Sequence, residues 1–187
     1  LYLQFRARLS LHRKFYLSNL IPICEGALKN GVPRITIPLL EDSSVEDDEK
    51  RDTFSKLISE IAFKYLNLKF SFEAELEPKK LLEILNKMPN FFVTYDTGNI
   101  TSCGFDHKEY VNLLSKHIDN LHLKDRTYDA KTVEPGTGDT DFKLIFQLLN
   151  EIGYNGPYTM QTARGAEGKE YETIMRHKEM FEGVFNE

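Results

Sequence analysis

The sequence predicts a parallel α/β fold, and three observations carry that prediction. Short apolar runs recur along the chain, at Arg34–Leu40, Lys69–Ala74, Phe91–Tyr95, Asn120–Lys124 and Pro157–Gln161. Between them lie stretches with apolar residues at helical spacing, bounded by capping residues. Polar and glycine-rich residues gather just after the strands. Short strand-to-strand returns need a helix when the strands are parallel, so this alternation reads as repeated βα units.

The elements follow in order. Leu3–Leu11 alternates loosely and is read as a strand. Phe15–Leu28 carries Leu20, Ile21, Cys24 and Leu28 at helical spacing, and Asn30-Gly31 supplies a stop. Pro22 inside that stretch predicts a kink or a late helix start. Ser44–Leu66 is the clearest helix: Glu46, Asp47, Asp48 and Glu49 suit the positive end of its dipole. Phe54, Leu57, Ile58, Ile61, Ala62 and Tyr65 then form an apolar stripe. Pro78–Met88 is read as a helix with proline in its first turn. Asp106 with Glu109 forms a capping box that opens a helix through Ile118. Thr140–Ile152 is a helix stopped by Gly153, and Lys169–Val184 is an amphipathic C-terminal helix. His107 and His117 fall on a helix and are read as surface residues.

Composition narrows the function classes. The chain has 187 residues, with 24 basic against 29 acidic side chains, a formal charge of −5. No basic run offers a footprint for nucleic acid. No apolar stretch approaches the roughly 18–20 residues that span a bilayer, so no membrane partner is expected. Two cysteines, Cys24 and Cys103, argue against a disulfide scaffold and fit a reducing, cytoplasmic setting. The chain begins at Leu1, and Leu1–Leu11 holds two arginines and no small-residue cleavage site, which makes it a poor signal peptide. The expectation is a chain that starts inside a longer protein.

The strand ends carry the chemistry. Glu73 lies near the end of KFSFEA, Asp96 follows FFVTY, His122 sits within NLHLK and Gln161 ends PYTMQ. In parallel α/β folds, ligands sit at the carboxyl ends of the strands. In a closed barrel, four such side chains converge. Two carboxylates, an imidazole and an amide oxygen form an oxygen-rich set that favours one hard or borderline divalent ion: Mn²⁺, Mg²⁺ or Co²⁺, with Zn²⁺ also admissible. Taken singly, each residue has a plain structural explanation, such as a helix cap or a satisfied core histidine. The joint pattern is what points to a site.

Five segments together resemble a known family. They are Phe72-Glu73-Ala74-Glu75-Leu76, Tyr95-Asp96-Thr97-Gly98-Asn99, His122-Leu123-Lys124-Asp125-Arg126, Pro135–Phe142 and Gly153–Tyr158. In order and spacing, from about Leu11 to the C-terminus, they are similar to the xylose-isomerase-like TIM-barrel sugar and sugar-phosphate isomerases and epimerases. The resemblance implies a (β/α)₈ TIM barrel, with residues 1–187 as a single domain forming its C-terminal part. A complete barrel of this type has about 250 residues. About six strands are counted here, so the first one or two βα units are expected to be missing from the N-terminus. The resemblance also implies a divalent ion held by Glu73, Asp96, His122 and Gln161 on strands five to eight. Glu75 alternates away from the face of Glu73 and becomes the substitute only if the register is shifted.

The implied activity is isomerisation or epimerisation of a sugar or sugar phosphate through a cis-enediolate. Glu73 is the expected catalytic base. Ketose 3-epimerases of the family use carboxylates on strands five and eight as two bases, whereas Gln161 cannot exchange a proton at neutral pH. One-base aldose–ketose isomerisation is compatible with that change. Lys124, Arg126 and Arg164 follow strands seven and eight, where many barrels bind phosphate, and Asn99 is placed to meet a substrate hydroxyl. These four are the expected substrate-binding residues; structural pairing with Asp125 and Glu167 is the alternative for the cations. Gly136 and Gly138 do not have the spacing of a nucleotide-binding loop. His12 is a weak candidate for the pocket. A homodimer is compatible with the family. The competing functions are a non-catalytic or lyase-type barrel of the same family and an endonuclease IV-like repair enzyme. The last would need a histidine-rich trinuclear zinc cluster, and the chain has five histidines.

Overall fold

The computed structural model describes residues 13–185. The strand read at Leu3–Leu11, and His12, lie outside them. The chain divides into two compact units at Thr94/Tyr95, inside one strand.

The first unit opens with α1 (Arg13–Lys29), which runs through Pro22. Leu20, Cys24 and Ala27 are buried at helical spacing. The Asn30-Gly31 stop forms as expected. Val32 N–H donates to Ala27 O at 2.8 Å, and Gly31 takes a φ of 65°, so the last carbonyls find donors. Strand β1 (Arg34–Leu39) follows, then α2 (Asp48–Lys64). This helix starts later than the acidic run suggested, because Asp47 is the N-cap and its carboxylate accepts from Lys50 N at 3.0 Å. Phe54, Ile58, Ile61 and Ala62 form the buried stripe.

Strand β2 (Lys69–Ala74) has the boundaries read from the sequence, and α3 (Pro78–Leu85) has proline in its first turn. Strand β3 (Phe91–Asp96) completes this part. β1 pairs with β2 in parallel from Arg34↔Lys69 to Leu39↔Ala74, and β2 pairs with β3 from Phe70↔Phe91 to Phe72↔Val93. Strand alternation sorts the side chains. Phe70, Phe72 and Phe91 face one way, with Phe72 edge-on to Phe54 at 5.7 Å and to Phe91 at 5.1 Å. Ser71 and Thr94 face the other way and share a 2.8 Å hydroxyl hydrogen bond. The amide of Asn90 donates to Ala62 O, Tyr65 O and Leu68 O, tying the end of α2 to the start of β2.

In the second unit, Asp96 leads directly into the short helix α4 (Thr97–Ser102). Then come α5 (His107–Leu114) and β4 (Ile118–Leu123). A small hairpin, β5 (Asp125–Arg126) with β6 (Thr132–Val133), occupies the long connection. The remaining elements are α6 (Phe142–Glu151), β7 (Tyr158–Met160) and α7 (Glu170–Phe185). The expected cap forms at Asp106, which accepts from Glu109 N at 2.7 Å; α6 starts two residues later than read, because Asp141 is its N-cap and accepts from Leu144 N at 2.9 Å. β4 pairs with β7 in parallel, Leu121↔Tyr158 to Leu123↔Met160. Phe142 and Phe181 meet edge-to-face at 5.0 Å, and Phe185 packs on Phe146 at 5.3 Å. The parallel sheet of the described residues has the order β1-β2-β3-β4-β7. Five of the strands expected from the sequence are therefore present in it.

Candidate metal and substrate site

Asp96 has two jobs because of where it stands. As the last residue of β3 it is also the N-cap of α4, and its Oδ1 accepts from Asn99 N at 2.9 Å. That leaves Oδ2 on the side of β4. There the Lys124 ammonium lies 2.7 Å away and His122 Nδ1 lies 3.8 Å away. All of these groups are withdrawn from water: Asp96 and His122 are each 2% exposed and Lys124 is 8% exposed. In such a setting a carboxylate is tolerable only beside positive charge or strong donors.

The turn after Asp96 holds the end of β4 in place. Thr97 Oγ1 donates to Lys124 O at 2.6 Å, and Lys124 N–H donates back to the same hydroxyl at 3.0 Å. Gly98 lets the lysine stem lie flat on the helix. A Cβ there would fall 2.9 Å from Lys124 Cγ and 3.1 Å from Arg126 Cγ. Asn99 Oδ1 then accepts from Lys124 Nζ at 3.4 Å. Three consecutive residues thus fix the backbone, the stem and the charged end of Lys124. Lys124 pairs with Asp96, not with Asp125 as the structural alternative had it.

Asp125 serves the loop that follows. It is fully buried, and its carboxylate accepts from Gly136 N at 2.8 Å, Gly138 N at 2.9 Å and Thr140 N at 3.2 Å. The glycines of this loop are there for close approach of backbone to a carboxylate. Arg126 is half-buried and donates through Nη1 to Ser102 Oγ at 3.3 Å.

Gln161 follows β7 directly, and its N–H donates to Leu123 O at 3.0 Å. It lines an open cavity of about 560 Å³ together with Thr162, Arg164 and Thr173. Arg164 is exposed on that cavity. In the first unit, Glu73 is the penultimate residue of β2, 1% exposed, on the strand face shared with Ser71. The second unit therefore brings Asp96, His122, Lys124 and Asn99 together, with Arg126 beside Gly98 and Gln161 one position past the β4–β7 ladder.

His107 corrects the sequence reading. It is not a surface residue but a half-buried one, with Nδ1 accepting from Tyr95 Oη at 2.5 Å and Nε2 donating to Thr101 Oγ1 at 3.0 Å. Burial pulls its pKa down to about 4, against the opposing pull of Asp106 and Asp141. The chain continues, since Thr101 Oγ1 donates to Thr97 O at 2.8 Å. Thr97, Gly98 and His107 were not singled out from the sequence as site supports. The available signal was Asp96 itself: an aspartate closing a strand three residues before Asn99 is a helix-start pattern.

Comparison with known proteins identifies the fold family. Residues 3–179 match the family model described as a xylose isomerase-like TIM barrel. An inosose dehydratase of Geobacillus thermodenitrificans is 30% identical over 105 residues, covering 46% of this chain and 32% of the relative. An L-ribulose-5-phosphate 3-epimerase of Salmonella paratyphi A is 34% identical over 74 residues, covering 39% of this chain and 26% of the relative. The chain thus spans about a third or less of the length of these curated relatives. Among solved structures, the IOLI protein with a bound zinc atom superposes with a TM-score of 0.78 at 18% identity, covering 96% of this chain and 72% of that one. At that identity the likeness speaks for the fold. The match to the family model spans most of the sequence, and the chain belongs to the xylose isomerase-like TIM barrel family.

Proposed function

We propose that this chain carries the active site of a divalent-metal-dependent isomerase or epimerase of a sugar or sugar phosphate, acting through a cis-enediolate. The observation that carries the reading is the buried approach of Asp96 Oδ2 to His122 Nδ1, 3.8 Å apart at adjacent strand ends. Glu73 is the proposed third ligand. Its carboxylate is buried near the end of β2, 1% exposed. Two carboxylates and an imidazole fit a borderline or hard divalent cation, and Gln161 offers an amide oxygen as the proposed fourth ligand. Mn²⁺, Mg²⁺ and Co²⁺ suit the set, and Zn²⁺ is compatible with it.

When bound, such an ion supplies Lewis acidity toward the carbonyl and hydroxyl oxygens of the substrate. The side chains supply the rest. Glu73 takes the proton from the carbon beside the carbonyl. It returns that proton to the former carbonyl carbon on the same face, while the hydroxyl proton passes from the adjacent oxygen to the former carbonyl oxygen; together these transfers complete a one-base aldose–ketose isomerisation. Gln161 neither accepts nor gives a proton there, which disfavours a two-base epimerisation. Lys124 and Asn99 orient substrate oxygens, and Arg126 and Arg164 suit an anionic group such as phosphate. The inosose dehydratase relative supports a second reading, in which the same proton abstraction is followed by loss of hydroxide in place of reprotonation.

Solvent exchange tests the shared step. The protein loaded with Mn²⁺ is incubated in D₂O with a panel of aldoses, ketoses and their phosphates, and deuterium beside the carbonyl is read by NMR. Exchange that falls by at least about a hundredfold in Glu73→Gln supports the reading. Exchange unchanged in that variant, or a panel with no exchange at all, counts against it.

A further inference from the structure

We propose that Lys124 is a built-in counter-cation for Asp96 that competes with the divalent ion, so that metal uptake displaces the ammonium from the carboxylate toward the substrate. This rests on the reading that Asp96 is a metal ligand, and it concerns how the chain behaves before and after loading.

The argument begins with the two oxygens of one carboxylate. Asp96 Oδ1 is engaged by the N–H of Asn99, which it caps at 2.9 Å. Oδ2 is the oxygen turned toward His122, and the Lys124 ammonium already lies 2.7 Å from it. A ligand bond to Oδ2 therefore has to be made against an existing ion pair. Asp96 is 2% exposed, so water screens neither the attraction of the pair nor the repulsion between an ammonium and an incoming dication. The two cations cannot share that oxygen without cost.

The lysine is also placed there by design of the local chain. Its backbone is clasped by the Thr97 hydroxyl, its stem rests on Gly98, and its ammonium has a second acceptor in Asn99 Oδ1 at 3.4 Å. A lysine reaching outward for substrate alone would need none of these contacts. The Asn99 acceptor also gives the ammonium a resting point when it leaves Asp96, still at the strand end. Lys124 thus has two positions within reach of one flexible stem. In the metal-free chain it neutralises a buried carboxylate, and in the loaded chain it is released for an anionic or hydroxylic substrate oxygen.

Metal affinity and metal-free stability, measured together, test the proposal. Zn²⁺ and Mn²⁺ titrations by chelator competition, and thermal unfolding with and without metal, are made on four proteins: the parent, Lys124→Met, Gly98→Ala and His122→Ala. Lys124→Met keeps the stem and removes the charge; Gly98→Ala keeps the charge and pushes the stem aside. The expected result is binding at least about tenfold tighter in Lys124→Met, with a lower Tm for the metal-free form that metal restores. Gly98→Ala should shift affinity in the same direction, which preserves the test if Lys124→Met does not fold. A parent that binds poorly beside a Lys124→Met variant that binds well also supports it. Equal or weaker binding in both variants, with binding still lost in His122→Ala, overturns the proposal and leaves the metal site standing. Absence of any binding that depends on His122 overturns both.

Discussion

A Cβ added to Gly138 would fall 2.3 Å from the Oδ1 of Asp125. No side chain is tolerated at that separation, so the glycine is there to let the backbone close on a buried carboxylate. The loop from Glu134 to Thr140 is organised around this one side chain, through the N–H groups of Gly136, Gly138 and Thr140. Asp125→Ala would leave the buried Thr140 N–H unsatisfied and release the N–H groups of Gly136 and Gly138, which lie nearer the surface. The expected loss of stability is about 1–3 kcal/mol, the cost of one orphaned buried donor. Chemical denaturation checks this, and Gly138→Ala should lose stability in the same experiment.

His107 makes a pH prediction. Its folded pKa is about 4, below the ordinary value of 6.5, so the folded state prefers the neutral ring. Between those values the unfolded chain binds a proton that the folded chain does not. Stability from this group is full above pH 6.5 and is lost as pH falls toward 4, by up to about 3 kcal/mol. His107→Gln should flatten the part of the stability–pH curve that lies in this window. Urea midpoints measured from pH 7 to pH 4 on both proteins test the difference.

The two cysteines should behave oppositely. Cys103 is exposed, whereas Cys24 is buried on α1 and burial pushes its thiol up to about 12. A thiol reagent at neutral pH should label one cysteine per native chain quickly and the second only after denaturant is added. Two fast thiols would contradict the packing of α1.

Phe72 anchors the aromatic cluster of the first unit, edge-on to both Phe54 and Phe91. Phe72→Ala is expected to cost about 3–5 kcal/mol, and Phe72→Leu much less, because the leucine refills most of the volume. Equal losses would mean the cluster is not packed as described.

Much of the architecture was legible in the chain because the local signals agree with one another. The bounds of β2 can be read from KFSFEA, and the Asp106 start follows from a carboxylate placed three residues before the N–H it caps. Asp96 and His122 were legible as partners because residues at the ends of successive parallel strands share one end of a sheet. What could not be read is how neighbouring side chains divide their work. Asp96 looks the same in sequence whether it caps a helix, pairs with a lysine or holds a metal, and the structure has it doing the first two at once. Lys124 followed by Asp125 and Arg126 looks like a string of exposed charge. Only the packing of Thr97 and Gly98 against it turns the lysine inward. His107 was misread for the same reason: its helix position suggests solvent, but the hydroxyls of Tyr95 and Thr101 claim both ring nitrogens.

The central claim is that Asp96 and His122, with Glu73, hold a divalent ion, and metal stoichiometry tests it most directly. The protein and its His122→Ala variant are stripped with chelator, reloaded with Mn²⁺, Co²⁺ or Zn²⁺, desalted and measured by elemental analysis. The expected result is about one ion per chain in the protein and a large loss in the variant. No retained metal with any of the three ions, or the same content in both proteins, would contradict it.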